Sequence, residues 1–597
     1  MRRSPRPRGS AMLLVAVGLG LLLGGQSASL AAPSEILRQA MEDELERSRN
    51  ELFLEDLDRP YFIAYTVSDV IERSILASDG ALSSSQEQRW RTLQVQVRVG
   101  DYRFDNGNFA GPGGGRFGGF ALLPLEDDYQ ELRRQIWLAT DAAYKNALSA
   151  IAGKRAALQN RIRDEELADF TAEAPFVFEK GSAAPNLDTQ GAEALVLALS
   201  GALRERPGLL RADVLLLAQS GTTHYLNSEG TFFVRDNPFA GLAVTAGTQA
   251  PDGRPVEDHV VAYAHTVAEL PPRTELLDAL EAMANRIEAL RDAPLLERYN
   301  GPVLFEGQAA AELFSQGFVP ALIARRAPVT GGNGPGRMGG AASGPFQDRL
   351  GARVLPRPLR LVDDPTANEI DGQPTPSGHV VDDEGVPAAP TVLVDRGRLK
   401  TLLNDRTPTR DIEGSTGNLR NGMVVPSNLL LTSSETLEEA ALRAELMALV
   451  EESGNEYGLV VTRLFNPALS SGVGRSGGLF FPGGGSGDSA LATEAFRIWP
   501  DGRRERVRSV RLIGLAPDVF RDIIAVGDRR MVYTAPLALG GSGMGRGMTL
   551  GGLANQFRRP AATLAVPDLL FEDFTLRAPD GDNPSLPVIP RPVAATD

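Results

Sequence analysis

Polar and apolar positions follow two periods along the first half of the chain. Residues 35–52 have helical spacing, residues 61–67 form a compact apolar run, and Leu93, Val95, Val97 and Val99 alternate with polar neighbours towards Tyr102. The period of two predicts a half-buried strand, because successive strand side chains point to opposite faces. Leu132, Ile136, Ala139, Ala143, Ala147 and Ile151 recur at three and four, predicting a long amphipathic helix. Further helices are expected within residues 191–204 and across Leu276, Leu280, Met283, Ile287 and Leu290, with Thr274 as N-cap. Residues 212–219 read as a strand, and residues 222–227 and 230–235 as the arms of a hairpin turning at Ser228-Glu229.

The pattern changes near Pro294. Short apolar runs, turns and glycine loops take over, with hairpins expected around residues 395–398 and around Pro500-Asp501-Gly502. One helix interrupts them, over residues 437–451, where Thr436 and Glu439 have capping-box spacing and Gly454 follows the end. Glycine-rich loops are expected at residues 111–119, 330–344, 470–487 and 540–552. The expected fold class is therefore α+β: an α/β N-terminal domain over residues 32–293, a large, mainly antiparallel β domain over 294–577, and a proline-rich tail over 578–597.

Composition narrows the functions. The 597 residues contain no cysteine, which excludes disulfide scaffolds, thiolate metal sites and cysteine nucleophiles. The net charge of −15 argues against nucleic acid as a partner, because a polyanion needs a basic face. Arg2, Arg3, Arg6 and Arg8 precede an apolar run over residues 11–25, and Ser29 and Ala31 are small residues placed for cleavage. That is the pattern of a secretory signal peptide over residues 1–31, too short and too glycine-broken for stable membrane insertion. Export, with cleavage near Ala31 and a periplasmic destination, is the expected localisation.

Only four histidines are available. His259 and His265 would lie on one strand with α-carbons about 20 Å apart, too far to share a metal. His224 sits in the predicted hairpin beside Tyr225 and reads as a packed or rim histidine, whereas His379 precedes Asp382, Asp383 and Glu384 and with those carboxylates could bind a divalent ion. There is no Gly-x-Ser-x-Gly elbow followed by a suitably placed histidine, no Walker loop and no dinucleotide fingerprint set between a strand and a helix.

A set of blocks, in order, carries a resemblance. They are Tyr225-Leu226-Asn227-Ser228-Glu229-Gly230, Arg349-Leu350-Gly351-Ala352-Arg353-Val354-Leu355, Leu361-Val362-Asp363-Asp364-Pro365 and Val381-Asp382-Asp383-Glu384-Gly385-Val386-Pro387. Residues 393–400, Asn404-Asp405-Arg406, Ser415-Thr416-Gly417-Asn418 and Pro426-Ser427-Asn428-Leu429 continue the series. Together they resemble the TldD/PmbA family of metallopeptidases, once called modulators of DNA gyrase. The resemblance implies a two-domain subunit that dimerises around a cavity and cleaves unstructured peptides. In catalytic members zinc is held by a helical His-Glu-x-x-x-His and a distant cysteine, the glutamate acting as general base. Residues 301–310 take that place, where Phe305 and Ala310 replace the histidines and Glu306 is the remnant of the base. The resemblance thus implies kinship with the PmbA/TldE-type members, which lack zinc ligands. The expected function is an exported peptide-binding or partner subunit with no cofactor, forming a homodimer or a heterodimer with a zinc-bearing paralogue. A second reading is an active metallopeptidase with a nonstandard site, using His379 and the acidic residues Asp382, Asp383 and Glu384.

Overall fold

The computed structural model describes residues 35–53, 57–111, 119–159, 167–181, 186–330, 344–467, 490–537 and 561–579. The expected signal peptide, most of the four glycine-rich stretches and residues 580–597 of the expected tail lie outside these. Among the described residues, two large sheets carry the fold, and each draws its strands from its own half of the chain.

The first sheet has eight strands: β1 (Pro60–Ser78), β2 (Ala81–Val99), β3 (Gly119–Leu123), β4 (Val177–Lys180), β5 (Arg211–Asn227), β6 (Phe232–Asp236), β7 (Phe239–Gln249) and β8 (Pro255–Ala264). β1 and β2 form one long hairpin, turned by Asp79 and Gly80 at φ of 55° and 73°, the paired left-handed conformations that match strand twist. β5 runs antiparallel to β1, and its far edge is shared by β6 and β7.

Helices cover one face of this sheet. α1 (Glu35–Glu51) and α2 (Tyr129–Leu158) pack on Ile63, Tyr65, Val67, Leu93, Val95, Val97 and Val99. α3 (Ala192–Arg204) and α4 (Arg273–Arg291) cover Ile75, Ala77, Val214 and Leu216. The six periodic residues predicted for the long helix, from Leu132 to Ile151, are all buried. Asp128 starts that helix by accepting the Glu131 N–H at 2.8 Å. Thr274, by contrast, is not a cap. It lies inside α4, which Pro272 precedes without any side-chain cap bond. The alternating strand departs from its half-buried pattern towards its end: of the intervening polar residues Gln94 is half-buried, but Gln96 and Arg98 are buried. Their face meets the second half of the chain, where Phe62, Ala64, Phe170, Tyr225, Phe233 and Val381 form a shared cluster.

The second sheet has ten strands: β9 (Arg298–Phe305), β10 (Leu359–Asp363), β11 (Thr391–Asp395), β12 (Arg398–Leu399), β13 (Asn428–Ser433), β14 (Gly458–Leu464), β15 (Leu491–Ile498), β16 (Arg504–Ile513), β17 (Ile523–Pro536) and β18 (Ala561–Arg577). The pairings β9–β14–β15–β16–β18 return to β9, closing a ring. α5 (Gln308–Gly317) packs on one face, against Val303, Phe305, Val461, Val507 and Phe571. α6 (Glu439–Ser453) packs on the other, against Leu304, Val460 and Leu570. The molecule is α+β, with a helix-backed N-terminal region and a β-rich C-terminal one. Both predicted hairpins form. The capping box at Thr436 does not, because Leu437 exchanges backbone hydrogen bonds of 2.9 Å with Val526 and Asp528 and so stays extended. α6 begins two residues later and ends, as expected, on Gly454 at φ 69°.

Candidate functional site

The remnant segment is part strand and part helix. β9 runs through Phe305, whose ring meets those of Phe571 and Phe574 edge-on at 5.6 and 5.4 Å. Glu306 leaves the strand, its N–H donating to Val461 O at 2.9 Å. Gly307 then turns the chain at φ 53°, a conformation costly for any residue with a Cβ, and its N–H donates to Asp568 Oδ1 at 2.7 Å. Only from Gln308 is the chain helical. The helical motif that the resemblance implies for residues 301–310 is therefore corrected: the segment is strand to Phe305 and helix only from Gln308, with Glu306 before the helix. Its carboxylate accepts from Arg443 Nη2 at 2.9 Å and Nε at 3.3 Å, and Arg443 also pairs with Glu439 at 3.1 Å.

These residues do not fit zinc. Phe305 and Ala310 have no lone pair to give, and the one carboxylate is bound to a guanidinium. Among the described residues no group of three or more His, Asp or Glu is placed to hold a metal ion.

Six residues further on lies an acid that the sequence reading passed over. Glu312 is the lone acid in Ala309-Ala310-Ala311-Glu312-Leu313-Phe314 and is fully buried. Its Oε1 accepts from Tyr533 OH and Asn466 Nδ2, both at 2.7 Å, and its Oε2 from Gln316 Nε2 at 2.9 Å. Burial raises its pKa above the ordinary carboxylate value, and the three donors offset part of that. An acid inside an apolar helical run is the signal that could have found it, since such a residue needs dedicated partners.

The histidines are scattered. His224 on β5 is packed as expected, and burial lowers it to about 4. His259 on β8 is also held near 4 by burial, followed by the Arg463 charge, while His265 falls beyond the strand's end at Ala264. His379 lies at a junction where the recognised blocks meet, but it does not face the acidic residues beside it. Its Nε2 contacts Gly417 O at 2.7 Å and its Nδ1 contacts Ser427 Oγ at 3.2 Å, and burial pushes it down to about 3.

Asp382, Asp383 and Glu384 each have separate work. Asp382 accepts the backbone N–H groups of Glu384, Val386 and Leu419 at 2.9, 2.9 and 3.2 Å, shaping the loop. Asp383 pairs with Arg235, and Glu384 accepts the Arg406 N–H at 3.1 Å. Each of the three acids and His379 is thus engaged by a separate set of partners. At the centre is Arg406, fully buried, which binds Glu229 Oε1 at 2.6 Å and Thr171 O and lies 4.0 Å over the Phe170 ring. Arg98 stacks on that ring as well, at 3.6 Å. Tyr102 OH donates to Glu229 at 2.7 Å. The blocks at 225–230, 381–387 and 404–406 thus meet in one buried polar clamp between the two sheets.

The family profile of the PmbA/TldA metallopeptidase C-terminal domain matches residues 298–577. No curated protein matches the chain by sequence. Solved structures share its fold. A candidate modulator of a DNA gyrase from Thermotoga maritima superposes with a TM-score of 0.56 at 15% identity, over 90% of this chain and 99% of that one. TldE from Thermococcus kodakarensis gives 0.54 at 14% identity, over 90% and 100%. A candidate modulator of DNA gyrase from Bacteroides thetaiotaomicron gives 0.52 at 14%, over 91% and 98%.

Proposed function

Since the chain belongs to the TldD/PmbA family of metallopeptidase-related proteins, we propose that it is an exported member that binds unstructured peptides or holds a partner subunit and carries no zinc of its own. The observation that supports this best is the state of Glu306. The family's general base works on a metal-bound water, and such a base needs a free carboxylate beside the metal. Here the carboxylate is neutralised by Arg443, and the neighbouring ligand position is a phenylalanine ring packed among two others. A zinc-bearing paralogue in a heterodimer would supply the chemistry, and this chain would supply surface for the peptide or for the partner. A homodimer is the alternative assembly, and sedimentation of the purified chain with and without the paralogue separates the two.

The deciding experiment is metal analysis of the purified protein, with peptide cleavage measured in parallel. The expected result is substoichiometric zinc and no chelator-sensitive hydrolysis. Stoichiometric zinc, with cleavage that a chelator abolishes and Glu306→Gln removes, would overturn the reading. Export is tested separately, by the N-terminal mass of secreted protein, which should begin near Ala32.

A further inference from the structure

The run Arg504-Glu505-Arg506-Val507-Arg508 puts three guanidiniums on one face of β16. Val507 faces the core shared with α5, so the arginines stand on the opposite side, the side on which α6 packs. Like charges so close on one strand face oppose folding unless they are neutralised. Two of the three are. Arg508 is buried, donates from Nε to Ala293 O at 2.8 Å and pairs with Asp252 at 2.9 Å. Arg506 pairs at 2.9 Å with Glu494 on β15, whose other oxygen accepts from Thr462 at 2.7 Å.

Arg504 is different. It makes no hydrogen bond or ion pair among the described residues, and its guanidinium lies over the ring of Phe496 at 3.6 Å. A guanidinium stacked on a ring keeps its N–H fork directed within its own plane, free for a planar acceptor. Arg504, Arg506, Phe496, Thr462 and Glu494, with Arg286 from α4, line an open cleft of about 460 Å3. The acids around the cleft are engaged. Asp258 takes Arg286 at 2.8 Å and Arg463 at 2.7 Å, Glu494 takes Arg506, and Glu306 takes Arg443. Burial lowers the Arg504 pKa, and Glu306, the next influence, only partly restores it, as expected of a cation short of a counter-charge.

We propose that this cleft binds the C-terminal carboxylate of an unstructured peptide, with Arg504 as the hydrogen-bonding cation and with Arg286 and Arg463, which share the single Asp258 carboxylate, supplying the surrounding positive field. The proposal rests on the peptide-binding reading and makes it specific. Its test is fluorescence anisotropy with one labelled unstructured decapeptide, prepared as the free acid and as the C-terminal amide. Amidation should weaken binding to the unaltered protein roughly tenfold or more, the usual effect of losing a charged hydrogen bond. Arg504→Gln should reduce the free acid to the level of the amide and leave the amide unchanged, and Arg504→Lys should recover part of the loss. Equal binding of acid and amide, or a preference that persists in Arg504→Gln, would overturn the proposal.

If neither peptide binds, the peptide-binding reading fails, and N-acetylalanine titrated by calorimetry judges the cleft alone. Binding that depends on Arg504 and is absent for N-acetylalanine amide supports the carboxylate site, and no binding overturns it. Inorganic phosphate competing as strongly as N-acetylalanine would also overturn it, because the cleft would then be a general anion site. Arg504 is exposed, so its variants should melt with the parent protein and report binding alone.

Discussion

At the clamp between the two sheets, Arg406 lies over Phe170, has no exposed surface and gives its N–H groups to Glu229 and Thr171. On the α6 face of the ring of strands, Arg504 lies over Phe496 just as closely and is exposed, and its guanidinium has no hydrogen-bond or ion-pair partner among the described residues. The ring contact is the same in both places. What differs is whether the donors left over after stacking are used inside the fold. Where they are, the arginine joins two parts of the chain, and its removal leaves a carboxylate stranded. Where they are not, the arginine adds little to stability and is available to a ligand.

The sharpest way to break this contrast is Arg406→Met, which keeps the bulk and removes the donors. Glu229 and the Thr171 carbonyl would then be left without their guanidinium, and breaking a buried pair costs about 3 to 5 kcal/mol. The urea midpoint should fall accordingly. A loss below about 1 kcal/mol would place Arg406 with ordinary surface pairs and erase the distinction.

Asp382, in the same clamp, probes the protonation of the junction. Burial, then repulsion from Glu384, pushes its carboxyl up to about 8 against the pull of three backbone N–H donors. A carboxyl raised in the fold binds more protons folded than unfolded, so its contribution to stability is present in mild acid and is lost as pH rises from about 4 to about 8. Asp382→Asn does not titrate, so it should gain on the parent across that window, by on the order of a few kcal/mol. Denaturation of both proteins at pH 5, 7 and 9 gives the slope. A difference that stays flat from pH 5 to 9 would mean that the backbone donors keep Asp382 ionised throughout.

Smaller effects belong to the exposed side. Glu306→Gln breaks a partly exposed pair with Arg443 and should cost about 0.2 to 1 kcal/mol in thermal unfolding, with zinc content unchanged. Arg504→Gln should shift stability by less than about 0.5 kcal/mol. A larger loss there would mean that Arg504 works as Arg406 does.

Much of the first sheet was legible because its elements bury one face each. The period from Leu132 to Ile151 records directly which side chains leave water, whereas the alternation from Leu93 to Val99 records only the helix-covered face, since Gln96 and Arg98 are buried as well. The same rule explains the failures. Val303, Leu304 and Phe305 are buried on both faces of β9, so they show no alternation to set against the helical motif that the resemblance implies there. Ala81 to Trp90 is mostly exposed or half-buried and strand only through its pairing with β1, a long-range cause with no local sign. The four histidines and the acids 382–384 were visible at once, but their partners, Gly417, Ser427, Arg235 and Arg406, come from distant segments. The Arg504 stripe needed only the period of two, combined with knowledge of which carboxylates were already taken.

The closed ring of strands also orders events during synthesis. β18 bonds to β9, β13, β16 and β17, and the contact between Thr575 and Asn300 joins residues 275 positions apart. Strands of the first sheet, paired mostly with near neighbours, can assemble while the chain is still growing. β9 has to wait with one edge open until β18 arrives, and long-range closure of this kind is slow and leaves sticky edges exposed. A ribosome stalled before Ala561 would therefore hold a finished N-terminal sheet and an unclosed ring, the species that a holding chaperone would be expected to capture.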